Sequence, residues 1–253
     1  MKIFLSQIKP KLSRDNVKKH IDNIDRAIDQ GSNLVIFPEL SLNGYNLMDL
    51  VFEDAYTTDE LGIFVEKSKD IDILLGVALR EKERIYNSSV YFSCKEISNI
   101  HHKNILPNYG MFEEARFFFE GDSIEPFETK YGRAVTVICE DLWSSSVINK
   151  IASLRVDIIY VISASPARGF RDEKLKIERK WESILSTTAL LNGVYVIFVN
   201  RVGFEDGMGF WGGSMVVNPN GEVEKKAKLF EEDFLEVTLS KQLSKTQKYL
   251  LRR

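Results

Sequence analysis

Four short, largely apolar runs limit most strongly what this chain can fold into. They are Leu34-Val35-Ile36-Phe37, Ala134 to Ile138, Asp157 to Ile162 and Val194 to Asn200. Runs of this length that stay apolar instead of alternating are the mark of strands buried on both faces, as in parallel sheets covered by helices. Helical patterns lie between them. Val17, Ile21, Ile24 and Ile28 recur at helical spacing after a candidate cap at Ser13, in a helix that starts near Asp15 and that Gly31 ends; further helices are expected over Asp59–Lys69, Ser146–Leu154 and Arg171–Leu191. Lys2–Ile8, Ile73–Leu79 and Ile85–Phe92 read as strands, with Glu81-Lys82-Glu83-Arg84 as a solvated turn. Ser214–Val217 and Val223–Lys228 flank Asn218-Pro219-Asn220-Gly221, where Pro fixes φ and Gly permits a positive φ, so this pair reads as a hairpin. The order of elements predicts an α/β layered fold with a mixed sheet or sheets, in one domain over residues 1–253 with no linker, repeat or low-complexity segment.

Composition removes several function classes. Lys and Arg total 34 against 37 Asp and Glu, so no basic surplus is available to neutralise phosphates, and nucleic acid is excluded as a partner. The apolar runs fall far short of the roughly 20 residues a membrane span needs. The N-terminal run stops after Leu5 and meets Pro10, so it lacks the apolar region of a signal peptide, and a cytoplasmic location is expected. Two cysteines, Cys94 and Cys139, are too few for a disulfide framework and read as reduced thiols. The glycosylation triplet Asn87-Ser88-Ser89 is set aside, because a chain that is not secreted does not meet the modifying enzyme.

Few motifs carry chemistry. The three histidines are His20, on a Lys-rich helical face that reads as solvated, and the neighbours His101 and His102; no metal site is implied. Gly207-Met208-Gly209-Phe210-Trp211-Gly212 matches a dinucleotide fingerprint, but strand follows it where helix is required. No phosphate-cradling GxxxxGK[ST] loop occurs. Cys139 alone would be an inert buried cysteine, yet it stands at a strand-to-helix junction, where following N–H groups favour a thiolate. A thiol mechanism pairing Cys139 with His101 or His102 is an alternative. Glu39 follows a buried strand and a proline, at the sheet edge where ligands bind in open α/β folds. Lys103 alone would be a surface lysine, yet a lysine can stabilise a developing oxyanion.

Glu39, Lys103 and Cys139 lie in Phe37-Pro38-Glu39-Leu40, Lys103-Asn104-Ile105-Leu106-Pro107 and Ile138-Cys139-Glu140-Asp141-Leu142-Trp143. In that order the three segments resemble the nitrilase, or carbon-nitrogen hydrolase, superfamily, with further matches at Leu42-Asn43-Gly44-Tyr45 and Gly212-Gly213-Ser214. Within it the chain is most similar to the glutamine-hydrolysing domain of glutamine-dependent NAD synthetases, through Leu106-Pro107-Asn108-Tyr109-Gly110, Phe112-Glu113-Glu114 and the segment around Cys139. The resemblance implies a four-layer αββα sandwich and a homodimer or larger assembly, with no cofactor. It implies Cys139 as nucleophile, Glu39 as general base, Lys103 as stabiliser of the tetrahedral intermediate with the N–H of Glu140, and Glu114 as a second, positioning glutamate. Tyr109, Glu140, Ser165 and Arg171 would contact the substrate, a small carboxamide of glutamine-like type. Arg168 and Arg171 read equally well as solvated residues opening a helix, and Phe210 and Trp211 as a pocket wall or a subunit interface. The ATP-using half of those synthetases has no counterpart before Arg253. The expected function is therefore a free-standing amidase, an ammonia-supplying subunit of a separate synthetase chain, or a catalytically silent binding member of the fold.

Overall fold

The computed structural model describes residues 1–171, 174–241 and 249, without the side chains of Arg171 and Lys174. Along the chain the elements are β1 (Lys2–Gln7), α1 (Asn16–Asp29), β2 (Leu34–Ile36), α2 (Val51–Asp54), α3 (Gly62–Lys67), β3 (Asp72–Glu81), β4 (Arg84–Ser93) and β5 (Glu96–His102). Then come α4 (Glu114–Phe117), β6 (Phe127–Thr129), β7 (Gly132–Ile138), α5 (Ser145–Leu154), β8 (Ile158–Ser163), β9 (Phe170–Arg171), β10 (Lys174–Leu175) and α6 (Lys176–Asn192). The last are β11 (Tyr195–Asn200), β12 (Val202–Glu205), β13 (Met208–Trp211), β14 (Met215–Val217), β15 (Val223–Lys226) and β16 (Asp233–Thr238).

Two six-stranded sheets form, in the orders β16-β1-β2-β3-β4-β5 and β15-β14-β11-β8-β7-β6. Each has a parallel centre, β1-β2-β3 in one and β7-β8-β11 in the other, flanked by antiparallel strands. Successive strand side chains point to opposite faces, and this sorts the apolar residues into three interfaces. Ile3, Leu5, Leu34, Ile36 and Leu74 meet Ile138, Tyr160, Ile162 and Ile197 between the sheets. Phe4, Val35, Phe37 and Ile73 turn outward onto Ile24 and Ala27 of α1 and Phe64 of α3. On the opposite side Val135, Val137, Ile159, Val161 and Phe198 pack against Ile151 of α5 and Trp181 and Leu185 of α6. The layers are thus α, β, β, α. The central strands read as unbroken apolar runs because both of their faces are covered.

Several sequence expectations change. His20 is wholly buried, not solvated. It lies four residues before Ile24 and so shares the buried stripe of α1. Its ring packs 4.3 Å from that of Phe37, with Nδ1 2.8 Å from the Asn16 carbonyl and Nε2 3.0 Å from Ser41 Oγ. Ser13 does not cap α1, because its Oγ accepts the Asp15 N–H outside the helix. The long helix begins at Lys176, after a short β9–β10 ribbon that takes Phe170–Arg171 out of helical conformation. β5 is an unforeseen strand at a sheet edge, where half-exposed residues leave no apolar run to detect. Trp211 is buried on Phe198, so it is not available to a subunit interface. Among the described residues no helix is long and apolar enough to cross a membrane, and no group of three or more His, Cys, Asp or Glu side chains is placed to hold a metal ion.

Candidate active site

Parallel strands deliver their carboxyl ends to one side of a sheet, and the parallel centres of both sheets deliver theirs to one rim of the sandwich. Glu39 follows β2, Cys139 follows β7, and Ser163 ends β8. β5 lies two antiparallel steps from β3 and so runs with it, and Lys103 follows β5. Both turns are tight: Leu40 has φ +47° and Cys139 φ +46°. The Glu39 turn lies directly on β3 at Gly76, where a Cβ would stand 2.4 Å from the Pro38 carbonyl oxygen and 2.7 Å from Glu39 Cα. Only glycine fits there.

The side chains converge on the Lys103 ammonium, which is fully buried. It donates to Glu39 Oε1 at 2.7 Å and to both oxygens of Glu114 at 2.8 Å. Burial opposes its charge, but the Glu114 and Glu39 carboxylates outweigh burial and hold its pKa well above the ordinary lysine value. Glu114 also accepts the Tyr45 hydroxyl at 2.5 Å. Burial pushes the Glu114 carboxyl up to about 7 against the pull of Lys103, with Glu39 adding to the rise. Burial, then Glu114 and Glu39, push the Tyr45 phenol up, so it remains a donor. Tyr45 and Glu114 also line a neighbouring cavity of about 410 Å³ with Phe112, Phe117 and Met208.

Cys139 is half-buried and takes a hydrogen bond from Ser163 Oγ at 3.2 Å. Burial and then the Glu39 carboxylate push its thiol pKa up, and Lys103 and Ser163 only partly counter this. Both influences favour the thiol, opposite to the thiolate that the sequence position favours. Neither His101 nor His102 is bonded to it: His101 is held by Asp141 and His102 by Ser88 and Glu81. Tyr109 donates to Glu140 Oε1 at 2.9 Å. Ser165 Oγ accepts the Trp181 indole N–H at 2.9 Å and keeps its own proton to give. The side chain of Arg171 lies outside the described residues. Arg168 stacks 4.4 Å over Phe112, and Phe210 backs Tyr45 at 5.8 Å between ring centres.

Three residues that the sequence analysis did not single out hold this arrangement. Asn87, in the triplet that had been set aside, is buried and donates to Glu39 Oε1 at 2.7 Å. The Ala164 N–H donates to Glu39 Oε2 at 2.7 Å. Asp141 accepts the N–H groups of Asn104 at 3.0 Å and Ile105 at 2.9 Å on one oxygen and that of Ile138 at 3.0 Å on the other. It thereby clamps the chain after Lys103 to the chain before Cys139. A family model for carbon-nitrogen hydrolases matches residues 5–249.

The chain belongs to the carbon-nitrogen hydrolase family. This carbon-nitrogen hydrolase is 30% identical over 237 residues to a glutamine-dependent NAD(+) synthetase of Acinetobacter baylyi, covering 92% of its own length and 43% of the relative's. It is 33% identical over 248 residues to the Thermotoga maritima enzyme of the same name, covering 94% and 42%. The hydrolase therefore spans less than half the length of these curated relatives. Among solved structures it is similar to the glutamine-dependent NAD+ synthetase from Acinetobacter baumannii in complex with ADP, at TM-score 0.85, 29% identity, and 96% and 46% coverage of the two chains. A carbon-nitrogen hydrolase from Helicobacter pylori G27 shares the fold at TM-score 0.86 and 24% identity, covering 99% and 92%.

Proposed function

We propose that this hydrolase is a thiol amidohydrolase that releases ammonia from a small, glutamine-like carboxamide through a Cys139 thioester. The observation that carries the reading is the buried Lys103 ammonium bracketed by Glu39 and Glu114 on the same rim as the half-buried Cys139 thiol, where burial disfavours the thiolate. A thiol in that state needs a base in the same step as attack, and Glu39 serves. The S–H proton passes to Glu39 as Sγ adds to the amide carbon. The oxyanion is held by Lys103 and the N–H of Glu140, where one such donor is worth on the order of 100- to 1,000-fold in rate. Glu39 then gives its proton to the leaving nitrogen, and ammonia departs. Glu39 next takes a proton from water as its oxygen attacks the thioester; the C–S bond then breaks, Glu39 returns that proton to Sγ, and the carboxylic acid leaves with the thiol restored. Glu114 fixes Lys103 from the far side.

Similarity to the two synthetases named glutamine-dependent supports an amino-acid amide as substrate. Glu140 with Tyr109 would receive the substrate ammonium, and Ser165 and Arg171 its α-carboxylate, the latter bidentately. The names of the same relatives favour a second reading, delivery of the ammonia to a separate synthetase-type chain. Ammonia release from L-glutamine, L-asparagine, aliphatic amides, nitriles and N-carbamoyl amino acids, with Cys139→Ala as blank, tests the proposal. Glutamine turnover well above the others supports it; full turnover by Cys139→Ala overturns the mechanism. Coelution with an added synthetase chain tests the second reading.

A further inference from the structure

Glu39 has two oxygens in unequal surroundings. A carboxylate offers about four lone-pair sites, two on each oxygen. Both sites of Oε1 are taken, by Lys103 Nζ at 2.7 Å and Asn87 Nδ2 at 2.7 Å. Oε2 accepts the Ala164 N–H at 2.7 Å, and among the described residues nothing else donates to it. Among the described residues one site on Oε2 has no donor. Asn87 cannot turn its amide over to help there, because that would set Oδ1 against Glu39 Oε1, acceptor against acceptor. Its Oδ1 is buried with no partner among the described residues, so the bond to Glu39 is what holds the side chain. The Asn87 backbone carbonyl also accepts the Lys103 N–H at 2.8 Å, so one residue of β4 ties together the base and the cation.

We propose that Asn87 is a positioning residue that reserves Glu39 Oε2 as the atom receiving the Cys139 proton. The inference rests on the role of Glu39 proposed above. In that step the S–H bond breaks, an O–H bond forms at Oε2, and the electron pair left on Sγ makes the new C–S bond. With Oε1 filled, the proton has one destination, on the same oxygen that the Ala164 N–H already orients. The charged and titratable groups that act on Glu39 from the surrounding elements are Lys103, Glu114, Tyr45, Cys139 and Arg201. Asn87 adds a neutral donor to this set. Removing it opens Oε1 to the proton and weakens the charged carboxylate by one hydrogen bond.

The test measures alkylation of Cys139 by iodoacetamide against pH, in a Cys94→Ser background because Cys94 is exposed. Asn87→Ala and Asn87→Asp are compared with the parent, together with kcat and KM for the amide that turns over fastest. In Asn87→Ala the acidic limb of alkylation moves up by about 1 pH unit, since a hydrogen bond to a charged group is lost. kcat falls about 10- to 100-fold with KM within about twofold, as expected for a misdirected proton. Asn87→Asp, nearly isosteric, moves the limb further in the same direction because it sets a second carboxyl against Glu39. If Asn87→Ala fails the circular dichroism check for folding, Asn87→Asp is read alone. An unmoved limb, or kcat and KM failing together, overturns the proposal and leaves Asn87 a packing role. A parent protein that hydrolyses no amide overturns the proposed function instead, while the alkylation limb still reports on Asn87.

Discussion

Replacing Asp141 with alanine tests whether one carboxylate holds the site's two halves together. Three backbone N–H groups lose their acceptor, those of Ile138, Asn104 and Ile105, at 2.9–3.0 Å, and His101 Nε2 loses its 3.2 Å contact with the same carboxylate. A buried donor left unpaired costs about 1–3 kcal/mol. Ile138 is fully buried and carries that figure whole, whereas Asn104 and Ile105 are half-buried, so water replaces part of their loss and about 1 kcal/mol each is appropriate. The expected destabilisation is about 3–5 kcal/mol, a large share of a domain's net stability. Asp141→Asn keeps one acceptor but turns an amide N–H either toward Ile138 or toward both Asn104 and Ile105, so it costs about 1–3 kcal/mol. Equilibrium urea unfolding of the three proteins at 25 °C and fixed pH measures this, with the slope compared to check that the same transition is followed. An Asp141→Ala protein destabilised by less than about 1 kcal/mol would refute the clamp, and so would an Asn variant less stable than the Ala one.

Four further outcomes are expected. Burial holds the His20 ring at a pKa of about 4, below its ordinary 6.5. The neutral ring is thus favoured by the fold, and about 3 kcal/mol of stability, complete above the unfolded pKa, is lost as pH falls through this window; in His20→Leu the stability lost on acidification, read by urea unfolding at a series of pH values, is smaller by that amount. Lys103→Met leaves two buried carboxylates without their cation, so turnover falls by more than about 1,000-fold and unfolding measurements lose about 3–5 kcal/mol. Gly76→Ala pushes the Glu39 turn away from the site, and steady-state assays should show kcat/KM lower by about 100-fold. Tyr109→Phe frees Glu140 from its hydrogen bond; KM for the amide that turns over fastest changes by less than about tenfold, with kcat kept.

How much was legible depends on how far apart in the chain the cause lies. Apolar runs such as Val194–Val199 are local signals, and they gave the parallel centres of both sheets. Glu39 and Cys139 stood out because each follows such a run. His20 carried a local signal too, its four-residue spacing to Ile24, which the surrounding lysines outweighed. Asn87 carried none, and Asp141 only its three-residue spacing to Ile138: a glycosylation-type triplet and the third letter of Cys-Glu-Asp show nothing of the distant partners they bond, 48 residues away in Glu39 and 37 and 36 away in Asn104 and Ile105. The edge strand β5 escaped because its half-exposed residues follow neither period cleanly. The ribbon that holds Arg171 is two residues per strand, below the length at which periodicity can speak.

The pairing of β1 with β16 has a consequence for synthesis. Lys2 is opposite Thr238 and Gln7 opposite Asp233, so β1 waits for more than 220 further residues to be made before its second edge is covered. During translation at about 5–20 residues per second, that edge, carrying Ile3, Phe4 and Leu5, is exposed for on the order of ten seconds or more. β1 can join β2 early, but an unpaired apolar edge is a template for other chains. The nascent protein is therefore most prone to self-association before residue 238 leaves the ribosome, and slowing translation late in the message should raise its demand for chaperones that cover strand edges.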